Sequence, residues 1–210
     1  MLKLISATPS PYARKVRIAL AEKNIAFELI TEVPWNQGAL TELHNPLAKL
    51  PVLLLEDGSS IFDSRYILDY LEWVYPETPL LPSDIADRLL AKKLEVLADG
   101  VCDAVVLLFF ERMRGASASA EWTARQTHKI EAGVSALARL IGSRKFAVAD
   151  QFGLGDIAVG SVLGYLKVRF QEFDWQILYP ALAQYSAILE QRPSFQHTQP
   201  YPQTISDKVV

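Results

Sequence analysis

Three prolines fall within seven residues in Pro76-Glu77-Thr78-Pro79-Leu80-Leu81-Pro82, and neither a helix nor a central strand can run through them. Each proline lacks the amide hydrogen that a helix or ladder needs and fixes its own φ. The segment therefore reads as a stiff, extended connection. The hydrophobic period differs on its two sides. Before it, short β-rich runs alternate with helical patterns, the grammar of a small α/β unit. After it, every apolar run repeats with helical spacing. The division expected is residues 1–76, a linker over 77–83, and an all-helical domain over 84–210.

Within the first part the spacing predicts strands over residues 3–6, 27–31, 52–55 and 60–62. Asp57-Gly58 between the last two signals a hairpin, so that pair is antiparallel. A helix over 12–23 carries apolar Val16, Ile18, Ala19 and Leu20, with Ser10 as its cap and Pro11 at its first position. Beyond the linker the helices expected cover 84–114, 119–141, 155–169 and 180–191. The polar, proline-punctuated residues 200–210 read as a loosely held tail.

Coarse properties narrow the function classes. Half of the 210 residues are hydrophobic, enough for real cores. The longest apolar run, from Val101 to Phe110, is broken by Asp103 and falls far short of a membrane span. No signal peptide fits Met1-Leu2-Lys3-Leu4-Ile5-Ser6. The single Cys102 cannot form an internal bridge, so a reducing cytoplasm is the simplest compartment. With a net charge of -3 and no basic excess in either half, neither nucleic acid nor membrane is expected as a partner. His44, His128 and His197 lack metal-like spacing. Arg14, Lys15 and Arg17 read as a solvated helix face, with the alternative that one of them, close to Ser10, tunes the local potential.

Two places leave backbone groups free to bind something peptide-like. Leu50-Pro51 opens a strand, and an X-Pro bond is the kind that adopts cis at modest cost. A cis proline there turns the main chain of Leu50 outward, able to pair strand to strand with a small peptide. Asp63-Ser64 begins a helical pattern whose first-turn N–H groups attract a carboxylate. Lys49 adds a cation beside the same place.

A β-α-β plus β-β-α unit with a strand-opening proline resembles a thioredoxin fold, and a helical partner after a proline-rich linker resembles a cytosolic glutathione S-transferase. Ser10-Pro11-Tyr12-Ala13-Arg14-Lys15-Val16-Arg17 resembles the active-site turn of the serine-type, bacterial members. Lys49-Leu50-Pro51-Val52 with Asp63-Ser64 resembles the family's glutathione-binding signature, and Arg192-Pro193-Ser194-Phe195 resembles the end of its helical domain. The fold implied is an α/β thioredoxin-like N-terminal domain plus an all-α C-terminal bundle. Two departures stand out. Gly153 occupies the place where the family usually has Ser or Thr three residues before Asp156, and Asp63 replaces the more usual Glu. Gly costs an N-cap only a few tenths of a kcal/mol relative to Ser, so the helix should survive.

The resemblance implies a division of labour. Leu50, ahead of Pro51, offers its main chain to the cysteinyl peptide of glutathione, and Lys49 pairs with the glycyl carboxylate. Ser64 holds the γ-glutamyl carboxylate, with Asp63 nearest the ammonium. A free thiol has a pKa of roughly 8.5, and lowering it by about two units takes about 2.7 kcal/mol. One hydrogen bond from the Ser10 hydroxyl, with the positive end of the helix starting at Pro11, is of that size. A plain N-cap is the competing reading of Ser10. Tyr12, Phe109 and Phe110 are candidates for an electrophile pocket, although aromatics at helical spacing more often pack in a core. Cys102 reads as core. Family members commonly dimerise between the small domain of one subunit and the bundle of the other, and Trp73, Val74 and Tyr75 would suit such an interface. The activity expected is a cytoplasmic, detoxifying glutathione transferase acting on small apolar electrophiles, with no metal. The alternatives are glutathione-dependent peroxide or disulfide reduction, and a non-catalytic module of the same fold used for protein interaction.

Overall fold

The computed structural model describes residues 1–210. They divide into two units, Met1–Leu80 with Pro193–Val209, and Leu81–Arg192. The first unit begins β1 (Leu2–Ser6), α1 (Pro11–Glu22), β2 (Phe27–Thr31), α2 (Thr41–His44), β3 (Val52–Leu54), β4 (Ser60–Ile61) and α3 (Ser64–Val74). Its four strands lie in the order β2-β1-β3-β4. β1 and β2 are parallel, as the helical crossover between them requires, while β3 is antiparallel to both β1 and β4. The Asp57-Gly58 turn is the expected hairpin: Gly58 takes φ +87°, and Asp57 Oδ1 accepts from the Ser59 N–H at 2.9 Å. β2 has the expected bounds, β1 begins one residue earlier than the sequence pattern suggests, and β3 and β4 each end one residue sooner. Leu4, Ile5, Val52 and Leu53 of the sheet, Val16 and Leu20 of α1 and Ile67 and Leu71 of α3 are all fully buried.

A buried ion pair closes this layer. Lys23 Nζ stands 2.7 Å from Glu72 and also donates to the carbonyls of Tyr75 at 2.9 Å and Thr78 at 2.8 Å. Glu72 in turn accepts from the Leu80 N–H at 3.1 Å. An ammonium with three acceptors has little uncompensated desolvation, and the network fastens the first part of the proline segment to the ends of α1 and α3.

The second unit holds α4 (Ile85–Met113), α5 (Ala120–Ile141), α6 (Leu154–Arg169), α7 (Trp175–Leu178) and α8 (Pro180–Glu190), with a single 3-10 turn over Gly115–Ser117. α6 is buried at every residue from Leu154 to Leu166, which makes it the central helix, apolar all round. It packs against α4 and α8, and α4 also packs along α5. The last approach is tight enough that a Cβ on Gly133 would fall 2.3 Å from Val101 Cγ2. No helix is long and apolar enough to cross a membrane.

Gly153 caps α6 without a side chain, and Asp156 compensates. Its Oδ2 accepts from the Gly153 N–H at 2.9 Å, and its Oδ1 accepts from the Ala147 N–H at 2.8 Å and the Tyr185 hydroxyl at 2.7 Å. Burial pushes the Asp156 carboxyl above its usual range, against the opposing pull of these donors.

The C-terminal segment departs from expectation. A single domain over 84–210 with a loose tail is the sequence reading, whereas α9 (Pro193–Gln196) and the residues after it group with the first unit. The cause lies in α1. Arg14 and Lys15 are 1% exposed, not a solvated face, and the C-terminal segment covers Arg14. The Arg14 guanidinium lies 5.2 Å from the Phe195 ring centroid and donates to the Phe195 carbonyl at 3.3 Å and Thr198 Oγ1 at 3.5 Å. Arg17 donates to the His197 carbonyl at 3.0 Å. Burial first, and then the charge of Arg14, push the Arg17 guanidinium below its ordinary value, with Tyr201 opposing. Farther on, the Thr8 hydroxyl donates to the Tyr201 carbonyl at 3.0 Å, Gln203 Nε2 donates to the Glu32 carbonyl at 3.3 Å, and the Gln37 N–H donates to Asp207 at 2.6 Å.

Candidate functional site

The chain leaves β1 through a tight turn in which the Ser10 N–H donates to the Ala7 carbonyl at 3.1 Å. Ser10 then caps α1: extended at φ -65°, ψ 116°, its Oγ accepts from the Ala13 N–H at 3.2 Å. The plain capping role of Ser10 is therefore present. It does not use up the hydroxyl, because a serine that accepts through a lone pair still has its proton to donate. Ser10 is half-buried and stands at the positive end of a helix of 12 residues. Tyr12, also half-buried, sits in the first turn of the same helix.

Register brings the second group to the same edge of the sheet. Ile5 pairs with Val52 across antiparallel β1 and β3, so Pro51 and Leu50 extend past the place where β1 ends and the Ser10 turn begins. The Leu50-Pro51 bond is cis, as the sequence suggests. Neither the N–H nor the C=O of Leu50 is taken by a backbone hydrogen bond, and that leaves one residue's main-chain donor and acceptor available to an extended ligand. Lys49 beside it is exposed.

Because β4 is antiparallel to β3, with Leu53 opposite Ile61, its end returns to this edge and delivers the start of α3. Asp63 caps that helix, accepting from the Arg65 N–H at 2.9 Å, and the Phe62-Asp63 bond is also cis. Ser64, the first residue of α3, is 2% exposed. Ser10, Lys49, Leu50, Pro51, Asp63 and Ser64 thus meet at one sheet edge, within one unit. Phe109 and Phe110 belong to the other unit, on α4, where their rings meet edge to face with centroids 5.1 Å apart.

Two residues that shape this edge carry no signal in the sequence. Asn45, 2% exposed, donates from Nδ2 to the Lys49 carbonyl at 2.7 Å and accepts at Oδ1 from the Leu47 N–H at 2.9 Å. It folds the loop that presents Leu50. Glu32 accepts from the N–H groups of Leu40 at 2.8 Å and Thr41 at 2.9 Å, and from the Thr41 hydroxyl. It supplies the cap that Leu40 cannot give to α2.

Residues 9–73, which contain every candidate from Ser10 to Ser64, match the family model for the glutathione S-transferase N-terminal domain, and residues 120–187 match the model for its C-terminal domain. The chain belongs to the glutathione S-transferase family. It is 36% identical over 202 residues to the Escherichia coli K12 protein YibF, described as an uncharacterized GST-like protein, covering 95% of this chain and 98% of that one. The glutathione S-transferase of Methylobacterium radiotolerans, solved with glutathione sulfonate, superposes with a TM-score of 0.98 at 59% identity, over 100% of this chain and 99% of the other. That of Methylobacillus flagellatus, solved with glutathione bound, gives 0.91 at 40% identity, over 95% and 100%. The four-stranded sheet with its helices and the helical second unit together make the glutathione S-transferase fold.

Proposed function

We propose that this chain is a glutathione transferase that binds glutathione along Leu50 and uses Ser10 to hold its sulfur as thiolate for attack on a small electrophile built on an apolar frame. The unpaired main chain of Leu50, beside the Ser10 turn, carries this reading. The cysteinyl peptide pairs with Leu50 as an added strand, Lys49 meets the glycyl carboxylate, and the N–H groups at the start of α3 with Ser64 take the γ-glutamyl carboxylate. Asp63, whose Oδ1 is spent on the cap, offers its second oxygen toward the ammonium. The Ser10 hydroxyl donates to sulfur, and the amide dipoles of α1 add to the preference for the anion. The thiolate, not the thiol, is the nucleophile. Relatives solved with glutathione sulfonate at 59% identity and with glutathione at 40% support the donor half.

We also infer a cytoplasmic detoxifying enzyme that works as a homodimer. Trp73 at 78% exposure and Val74 in the first unit, with Ile85 and Leu89 in the second, are large apolar side chains that a subunit interface would cover.

Retention on immobilised glutathione, followed by turnover of 1-chloro-2,4-dinitrobenzene and of an organic hydroperoxide, tests the activity. Retention with aryl-halide turnover is the expected result. Retention with hydroperoxide turnover alone points to reduction, retention with neither to a binding module, and no retention overturns the reading at its root.

A further inference from the structure

Both main-chain groups and both side-chain polar atoms of Asn45 are engaged, and each shapes the turn that precedes Leu50. Its N–H donates to the Thr41 carbonyl at 2.8 Å, and its own carbonyl accepts from the Ala48 N–H at 2.8 Å. Oδ1 accepts from the Leu47 N–H at 2.9 Å, and Nδ2 donates to the Lys49 carbonyl at 2.7 Å. The turn is fastened from outside as well. Glu32 accepts from the Thr41 N–H at 2.9 Å, and the Ser60 hydroxyl of β4 donates to the His44 carbonyl at 2.9 Å. Within the turn Ala48 takes φ +51°, a left-handed conformation that a residue with a Cβ adopts only where its surroundings over-determine it.

The hydrogen bond to Lys49 has a directional consequence. The peptide bond between Lys49 and Leu50 is trans, so its C=O and N–H lie in one plane and point in opposite senses. With the carbonyl turned onto the side chain of Asn45, which is 2% exposed, the Leu50 N–H of the same plane faces away from that buried amide. This N–H takes part in no backbone hydrogen bond. Asparagine is suited to the place because it carries an acceptor and a donor at equal reach. Aspartate has no donor when ionised, and a serine hydroxyl is shorter by about one bond.

We propose that Asn45 is a positioning residue for glutathione, aiming the Leu50 N–H at the cysteinyl carbonyl of the tripeptide by holding the Lys49 carbonyl on the other side of the same peptide plane. The proposal rests on the reading above, in which glutathione lies along Leu50, and names the residue that sets the strength of that contact. Asn45 acts through this plane alone, so its loss weakens the hold on the tripeptide rather than the chemistry at sulfur.

Asn45→Asp and Asn45→Ser both keep an acceptor for the Leu47 N–H and lose the amide donor to Lys49. The serine variant does so without burying a charge, which keeps the test decisive should the aspartate variant fail to fold. Calorimetric titration of the full-length protein with reduced glutathione should show Kd rising roughly three- to tenfold, as expected for one hydrogen bond, and during turnover the loss should fall mainly in the KM for glutathione. Amide hydrogen exchange followed by NMR separates positioning from a general loosening. In the wild type, saturating glutathione should slow exchange at Leu50 by about tenfold or more. In the variants that protection should be lost at equal saturation, while the amides of the ladder between β1 and β3 keep their wild-type rates. Variants with wild-type Kd and wild-type Leu50 protection overturn the proposal and leave the glutathione reading intact. Ladder amides that exchange faster in step with Leu50 overturn it too, assigning Asn45 to the fold alone. A wild type that binds glutathione without protecting Leu50, or does not bind it, rejects the reading itself and the proposal with it.

Discussion

Ser10 caps α1 and is proposed to donate to sulfur through the same oxygen, and the two roles can be separated. Ser10→Ala removes a cap at a cost of about 1 kcal/mol and, on the proposed mechanism, returns the pKa of bound glutathione toward roughly 8.5. The expected outcome is a large loss of thiolate ultraviolet absorbance near neutral pH with a small fall in melting temperature. A fall in stability with unchanged absorbance would leave Ser10 as a cap alone. Asp156 has the opposite balance, having no part in the proposed chemistry and a central one in the helical unit. Asp156→Ala strands the Ala147 and Gly153 amides and the Tyr185 hydroxyl, and should cost about 3–5 kcal/mol in denaturant titration. The Ser10 cap, the cis bond after Leu50 and the helix start at Asp63-Ser64 were legible in the sequence because caps and strand-opening prolines are local grammar. Asn45 and Glu32 were not. An Asn or Glu in a loop is ordinary, and what makes Glu32 structural is Leu40 and Thr41, brought to it only when α2 forms.

At the scale of elements, the strands and long helices followed their periodicity, and the errors came from segments whose surroundings lie far along the chain. Arg14, Lys15 and Arg17 read as solvated because charge normally is, and only residues 195–201 tell otherwise for the two arginines. Shortening the chain after Pro200 removes the Tyr201, Gln203 and Asp207 contacts and should cost about 1–2 kcal/mol. Because Thr8 lies two residues before Ser10, glutathione KM should rise as well. Shortening after Arg192 also exposes the pocket of the fully buried Phe195 and takes acceptors from Arg14. That loss should exceed about 4 kcal/mol and leave the first unit unfolded by circular dichroism. The α4–α5 contact offers a separate test. Gly133→Ala places a methyl against Val101 and should destabilise by about 1–3 kcal/mol, whereas Gly133→Ala with Val101→Ala should recover part of that loss.

For the whole molecule, the division into an α/β part and a helical part was readable because three prolines and a change of period coincide, but the membership of residues 193–209 was not. Subunit association is the prediction that belongs here. Trp73→Glu introduces a charge onto an exposed apolar position, and sedimentation should show the dimer expected of the wild type shifting to monomer at micromolar concentration. A wild-type protein that sediments as a monomer would reject the dimer outright. The strap formed by α9 and the residues after it has one more implication. The helical unit, Leu81–Arg192, is continuous in sequence, whereas the first unit is written at both ends of the chain. On the ribosome the bundle can finish as soon as its last helix emerges, while the first unit waits with Arg14 uncovered until residues 193–209 have followed. The amino-terminal half is the first to be made and the last to be completed.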